Sequence, residues 1–186
     1  MKDKDFIRGK VPMTKEEVRA IVLSKLELCS SDNFMDIGAG TGSVTIEGAL
    51  KAYNGKALGI EQNEDAVELI KQNIAKFNIQ NLEVIHGKAP LGMDKTAEYN
   101  KFFIGGSRGN LTSIIETITQ QAPKQHIIVV TAIVLDTMIE AYNHFKNQIN
   151  YETELVQVAV NRIEPDKKPA MLMANNPIFI ITAKSC

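Results

Sequence analysis

Residues 35–45 read "MDIGAGTGSVT", and the fold of this chain turns on them. Three glycines at alternate positions, Gly38, Gly40 and Gly42, follow an acidic residue, Asp36. An apolar run precedes them and a helix-forming run follows, so the turn links a strand to a helix. Glycine costs folding entropy and packs no side chain, so three in one turn imply a close approach to the main chain. A strand–turn–helix of this kind receives a nucleotide-like ligand.

Outward from the turn, the hydrophobic period switches repeatedly between two and 3.6. "TKEEVRAIVLSKLEL" (14–28) reads as an amphipathic helix with Val18, Ile21, Val22 and Leu26 on one stripe. Thr14 with Glu17 three positions later spells a capping box. "SVTIEGALKAY" (43–53), "LTSIIETITQQ" (111–121) and "LDTMIEAYNHFKNQ" (135–148) are further helices. The clearest is "NEDAVELIKQNIAKFN" (63–78), capped by Asn63 and striped by Ala66, Ile70, Ile74 and Phe77. "KALGIEQ", "LEVIHG", "KFFIGG" and "HIIVVTA" read as strands between them. Strands alternating with helices predict a parallel sheet covered on both faces.

The last two strands, "TELVQVAVNRI" (153–163) and "PIFIITAK" (177–184), have no helix between them. They are predicted to pair antiparallel at the sheet edge, joined by the loop "EPDKKPAMLMANN" (164–176). The expectation is an α/β fold: one doubly wound, Rossmann-like domain over residues 1–186, with a mostly parallel seven-stranded sheet and a C-terminal antiparallel hairpin. Residues 1–30 are expected to pack over the ligand site. Five β-α units followed by such a hairpin is the order of class I S-adenosylmethionine (SAM) methyltransferases.

Composition narrows the function classes. At 186 residues, with 44% hydrophobic and 23% charged, the chain reads as one ordinary globular domain. Lys plus Arg (21) nearly equals Asp plus Glu (22), a balance that argues against a nucleic-acid binder with a basic face. Cys29 and Cys186 supply neither a metal cluster nor a disulfide framework, which suits a reducing, cytoplasmic setting. "MKDKDFIRGK" has no apolar signal core, and no run approaches the length of a membrane span. His86 reads as a packed strand-end histidine, His126 and His144 read as surface or packing residues, and no metal site is expected.

The spacing inside the turn separates two ligands. The dinucleotide fingerprint is G-x-G-x-x-G, whereas here the position of its third glycine is Ser43. A dinucleotide lays a pyrophosphate on the helix N-terminus; SAM has none and carries a cationic amino group instead. Asp36 suits that amino group and sits badly with a pyrophosphate. Glu61 ends the second strand about 20 residues on, where a carboxylate accepts from ribose hydroxyls in both ligand classes. "VIHGKAP" ends the third strand where a base would lie, with main-chain groups of Lys88 and Ala89 at its edge. Tyr142 and Lys146 have the Y-x-x-x-K spacing of short-chain dehydrogenases. Leu135, Met138, Ile139, Tyr142 and Phe145 form one apolar stripe, however, which makes Tyr142 a core residue. "FIGGS" after the fourth strand is not the N-P-P-Y-like tetrapeptide of amino-group methyltransferases, which argues against DNA adenine methylation.

Six stretches occur in order along nearly the whole chain: "VPMTKEEVRA", "MDIGAGTGSVTIE", "HGKAP", "FIGGS", "IIVVTAIVLDT" and "NPIFII". Together they resemble the cobalamin-pathway cobalt-precorrin methyltransferases that methylate ring carbon 15 and decarboxylate the ring C acetate. A chain standing alone resembles the anaerobic, cobalt-early version. The resemblance implies SAM as cofactor, with contacts at Thr14, Gly38, Ala39, Gly40, Thr41, Gly42, Glu61 and Ala89. It also implies an acid where this chain has Lys88, leaving the base contact to the Ala89 main chain. A homo-oligomer, typically a tetramer, is implied as well. A tetrapyrrole with many carboxylates needs cationic partners, for which Arg8, Lys10, Arg108 and Arg162 are candidates. Gly105, Gly106 and Ser107 would leave room beside the transferred methyl, and Thr131 and Thr137 flank the end of the fifth strand. Two other classes stay open: a SAM methyltransferase acting on RNA or protein, and an NAD-binding or non-catalytic nucleotide-binding domain.

Overall fold

In the computed structural model, which describes residues 1–164 and 169–186, the apolar run before the glycine turn is strand β1 (Phe34–Ile37). It lies in the middle of a seven-stranded sheet with β2 (Ala57–Glu61), β3 (Leu82–His86), β4 (Lys101–Ile104), β5 (Ile127–Ala132), β6 (Tyr151–Val158) and β9 (Ile178–Ser185). The order is β3-β2-β1-β4-β5-β9-β6. The first five are parallel, and β9 runs antiparallel to both β5 and β6. The predicted α/β architecture with a terminal antiparallel pair is therefore borne out.

Two-residue alternation along β1 decides what packs where. Met35 and Ile37 face one layer, whose core includes Leu111, Ile114 and Ile118 of helix α4 (Leu111–Gln121) and Ala141 and Phe145 of α5 (Leu135–Phe145). Phe34 belongs to the opposite core, with Val18, Val22 and Leu23 of α1 (Glu16–Lys25) and Val44, Ile46 and Ala49 of α2 (Ser43–Lys51). Helix α3 (Glu64–Lys76) joins that layer and begins, as its sequence predicts, with the Asn63 side chain accepting from the Ala66 N–H at 3.1 Å.

Four local expectations are corrected. Thr14 does not cap α1: Lys15 is the N-cap residue and makes no side-chain cap bond. Thr14 instead offers its carbonyl to Arg19 Nη1 at 2.6 Å. Arg19 is wholly buried and also bonds Asp3, Glu47 and the Met1 carbonyl, so it fastens the N-terminal arm to α1 and α2. Second, the long strand over 153–163 breaks after Val158, and β7 (Asn161–Glu164) pairs with β8 (Met171–Ala174) in a separate two-stranded ribbon. The stretch taken as a loop thus holds a strand, and its residues 165–168 lie outside the described ones. Third, the stripe on α5 is not all core: Leu135 and Ile139 are exposed, and Tyr142 is half-buried beneath the Lys146 ammonium. Fourth, His86 is not packed at its strand end but exposed, with Nε2 2.9 Å from the Gln62 carbonyl oxygen. His126, by contrast, is buried between Phe102 and Tyr151.

Candidate active site

Between β1 and β4 the strand order reverses, and open α/β sheets bind ligands outside the carboxyl ends of the strands at such a point. There β1 feeds the turn Gly38–Gly42 and β4 feeds the loop Gly105–Gly109. The two are in contact: the N–H groups of Gly105 and Gly106 donate to the Ile37 carbonyl at 2.9 and 3.4 Å. Gly38 has φ 75°, and any Cβ there would collide with the Gly106 main chain.

The turn is organised by its own hydrogen bonds. Gly38 and Ala39 donate to the Ile60 carbonyl at 2.9 and 3.1 Å. The Gly40 N–H donates to Glu61 Oε2 at 2.9 Å, and the Asn63 N–H to Oε1 at 2.8 Å. The Glu61 carboxylate is thereby fixed in the wall with further acceptor capacity on each oxygen. Above the turn lies a cavity of ≈ 1120 Å³. From the turn and the β2 and β3 side it is lined by Gly38–Thr41, Glu61–Asn63, Gly87–Ala89 and residues of α3 (Asp65, Glu68, Leu69, Gln72), together with Gly9–Lys15 of the arm. From the β4 and β5 side it is lined by Phe103–Gly109, Leu111, Val130–Val134 and Thr137, together with Asn175, Asn176 and Ile178.

The Thr41 hydroxyl is buried without a protein partner although the residue lines this cavity. An orphaned buried hydroxyl is uncommon in a folded protein and here invites a ligand atom. A Cβ on Gly106 would meet nothing within 4 Å, so that position borders open space. Acceptors at Glu61, a hydroxyl at Thr41 and main-chain groups at Lys88 and Ala89 suit a nucleoside. Among the described residues no group of three or more His, Cys, Asp or Glu is placed to hold a metal ion.

Most of the predicted site residues converge on this cavity. Thr14, Gly38, Ala39, Gly40, Thr41, Glu61, Ala89, Lys10, Gly105, Gly106, Ser107, Arg108, Thr131 and Thr137 line it. Four do not, each for a physical reason. Asp36 alternates onto the α2 face of β1, where Thr45 Oγ1 donates to its Oδ2 at 2.6 Å and Oδ1 is buried without a partner. Burial, with the Glu61 charge adding to it and the Thr45 bond opposing it, pushes the Asp36 carboxyl up to about 7. The side chain is fully buried and lies outside the cavity lining. Gly42 has φ 75°, and a Cβ there would lie 2.9 Å from Ile70 Cγ1. It lets α2 pack against α3, the task that the fingerprint gives to its third glycine. Arg8 is exposed and outside the lining, between Ile7, whose N–H and carbonyl Asn73 of α3 grips at 2.8 and 3.1 Å, and the lining residues Gly9 and Lys10. Arg162 of β7 is committed to Glu17 of α1, its Nη2 2.7 Å from Oε2, and holds that carboxyl below its ordinary range.

The sequence reading missed the α3 face and Asn175–Asn176. Asp65, Leu69 and Gln72 do follow helical spacing, a visible pattern. Asn175–Asn176 were absorbed into a loop, and only their place just ahead of Pro177 and the last strand marks them.

Comparison with known proteins assigns the family. The family model for the precorrin methyltransferase domain matches residues 5–184. A Sulfurisphaera tokodaii protein named probable cobalt-precorrin-6B C(15)-methyltransferase (decarboxylating) is 40% identical over 182 residues, covering 96% of this chain and 94% of its own. The crystal structure of a Geobacter metallireducens precorrin-6y C5,15-methyltransferase is similar with a TM-score of 0.92 and 34% identity, covering 100% of this chain and 96% of the other. A structure from Methanobacterium thermoautotrophicum, named precorrin 8w decarboxylase, has a TM-score of 0.89 and 27% identity over 98% of each chain. Matched from its N-terminal arm to its last strand, and with a glycine-lined crevice at the sheet's switch point, this chain belongs to the precorrin methyltransferase family.

Proposed function

We propose that the chain methylates ring carbon 15 of cobalt-precorrin-6B with SAM and releases the carboxyl of the ring C acetate as CO₂, a step of cobalamin biosynthesis. The observation that carries this reading is the undivided cavity. Its ≈ 1120 Å³ exceeds the roughly 300–1,000 Å³ of a single small-ligand site. Its lining offers both the acceptor, hydroxyl and main-chain groups that a nucleoside requires, at Glu61, Thr41 and Ala89, and cations for a carboxylate-rich ring, at Lys10, Lys88 and Arg108. The name of the Sulfurisphaera relative supplies the substrate.

When bound, SAM supplies an electrophilic methyl group. Glu61 would accept from the ribose hydroxyls, the Ala89 main chain would meet the base, and Thr41 would bond the polar tail. Phe103, Ile104, Val130 and Leu111 give the floor apolar walls that keep water from the reacting carbon. Lys10, Lys88 and Arg108 stand around the cavity to receive substrate carboxylates. No protein base is needed to activate an electron-rich ring carbon. In the decarboxylation the electrons of the broken C–C bond pass into the macrocycle. The enzyme's task is alignment, the largest lever available to a displacement of this type.

The same reading has the whole chain working as one methyltransferase domain, with its N-terminal segment over the cofactor, in the cytoplasm and as a homo-oligomer, a tetramer in the family. Support for the setting comes from the free, exposed Cys29 and Cys186. No described helix is long and apolar enough to cross a membrane. Support for assembly comes from the ribbon, where Ile163, Met171, Leu172 and Met173 are all exposed. Incubation with methyl-labelled SAM and cobalt-precorrin-6B is the direct test. One labelled methyl gained and one CO₂ released per ring is expected. Absence of both, or tight binding of NADH in place of S-adenosylhomocysteine, would overturn the reading.

A further inference from the structure

At the start of α4 the residue in the capping position does not cap. Asparagine is a preferred N-cap because its side-chain oxygen accepts from an early helix N–H. Asn63 does this on α3, where the backbone is extended at φ −87°, ψ 120°. Asn110 has φ −107°, ψ 19° and makes no side-chain cap bond. Its Nδ2 donates instead to the Ala89 carbonyl at 2.7 Å. Its own N–H donates to the Ser107 carbonyl at 3.0 Å and closes the turn that holds Arg108 at φ 49°.

The bond joins two loops that the sheet does not hold together. Ala89 follows β3 at the sheet edge, and Ser107–Gly109 follows β4, with β2 and β1 between the two strands. Among the described residues it is the one hydrogen bond between the 87–91 and 105–110 segments. Both segments line the cavity, one from the end of β3 and one from the end of β4. A local stabilising bond at the helix start is forgone for a bond across the site.

We infer that Asn110 is a positioning residue, whose amide fixes the spacing between the loop that meets the base of the cofactor and the loop beside the methyl acceptor. This rests on the SAM reading of the cavity. Misplacement of about 1 Å between reacting partners costs on the order of 100-fold in rate, so a tether of this kind acts on turnover more than on substrate affinity.

The test compares Asn110→Asp with Asn110→Ala. Aspartate can accept as a cap and its charge suits a helix N-terminus, but at neutral pH it cannot donate to the Ala89 carbonyl. Asn110→Asp is expected to keep or raise the thermal midpoint while kcat for methyl transfer to cobalt-precorrin-6B falls roughly 10- to 100-fold. KM for the tetrapyrrole should change little. Asn110→Ala should lose kcat to a similar degree with a lower midpoint. Wild-type kcat in Asn110→Asp, or rates in the two variants that follow their midpoints, would overturn the inference. Failure of the wild-type protein to bind S-adenosylhomocysteine is a separate outcome: it removes the reading of the cavity, and this inference with it.

Discussion

The Glu61 carboxylate is already bonded to the N–H groups of Gly40 and Asn63, so a ribose meets a side chain that has been ordered in advance. Such preorganisation makes its loss expensive. Glu61→Ala should weaken S-adenosylhomocysteine binding by about 1.5–3 kcal/mol, the scale of hydrogen bonds to a charged group. Titration calorimetry reads this directly, and unchanged affinity would remove the ribose assignment. Asp36, one strand away, has the opposite surroundings: no exposure, one hydroxyl donor, and the Glu61 charge near it. Burial raises its carboxyl in the folded protein from the ordinary 3.8 to about 7. The protonated form that folding favours is available to the unfolded chain only below the lower value. The stability it contributes is therefore complete in acid and is lost as the pH rises through the upper value. Asn replaces the carboxyl with a neutral isostere that can still accept from Thr45. Asp36→Asn should thus differ little from wild type near pH 4 and show a clearly higher thermal midpoint at pH 8. An equal difference at both pH values would mean that Asp36 is ionised in its buried position.

At the scale of elements, the N-terminal arm depends on one buried cation. Arg19 donates to Asp3 at 3.0 Å, to Glu47 at 2.6 Å and to the Thr14 and Met1 carbonyls at 2.6 and 2.8 Å, with its guanidinium 5.0 Å from the centre of the Phe6 ring. Removing it takes the innermost cation from two poorly solvated carboxylates, leaving Glu47 the Met1 ammonium at 3.1 Å and Asp3, among the described residues, only Arg162 and Lys15 at 3.8 and 3.9 Å. Arg19→Met should cost about 3–5 kcal/mol of unfolding free energy, measured by urea denaturation, and should also weaken S-adenosylhomocysteine binding, because Gly9–Lys15 would lose their anchor. A loss under 1 kcal/mol would show that the arm holds without it. Arg19 also marks a limit of what can be read from sequence. Local periodicity revealed α1, α2, α3 and the parallel strands, because the spacing of apolar residues is a property of each segment by itself. Pairings across the chain leave no such trace. Arg19 with Glu47, Arg162 with Glu17, Asn73 with Ile7 and Asn110 with Ala89 join residues far apart in sequence, so Arg162 and Arg8 could be mistaken for substrate ligands. The glycine turn and Glu61 were legible because main-chain approach and strand-end position are themselves local. Asp36 misled because the two-residue alternation of β1 turns it into the α2 layer, although it sits next to the turn in sequence.

For the whole molecule, the ribbon stands apart from the seven-stranded sheet and presents two chemically different faces. In its register Arg162 lies opposite Met173, and Ile163 opposite Leu172. Arg162 is turned to Glu17 on α1, so alternation along β7 turns the Ile163–Leu172 pair the other way, where the two are 64% and 62% exposed. An exposed pair of this size on a two-stranded ribbon is unfavourable in water, and the ribbon has unpaired strand edges available to another copy. Association of copies through this face would cover both. Light scattering on the wild-type protein should then give a mass near four times the 20.6 kDa chain. Leu172→Lys places a charge in that face without touching the cavity lining or the Arg162–Glu17 pair. The variant should sediment as a smaller species while its affinity for S-adenosylhomocysteine stays at the wild-type value, since every residue assigned to the nucleoside comes from within one chain. A wild-type protein that is monomeric at micromolar concentration would exclude the tetramer. A Leu172→Lys variant that keeps the full mass would place the contact between copies elsewhere on the surface.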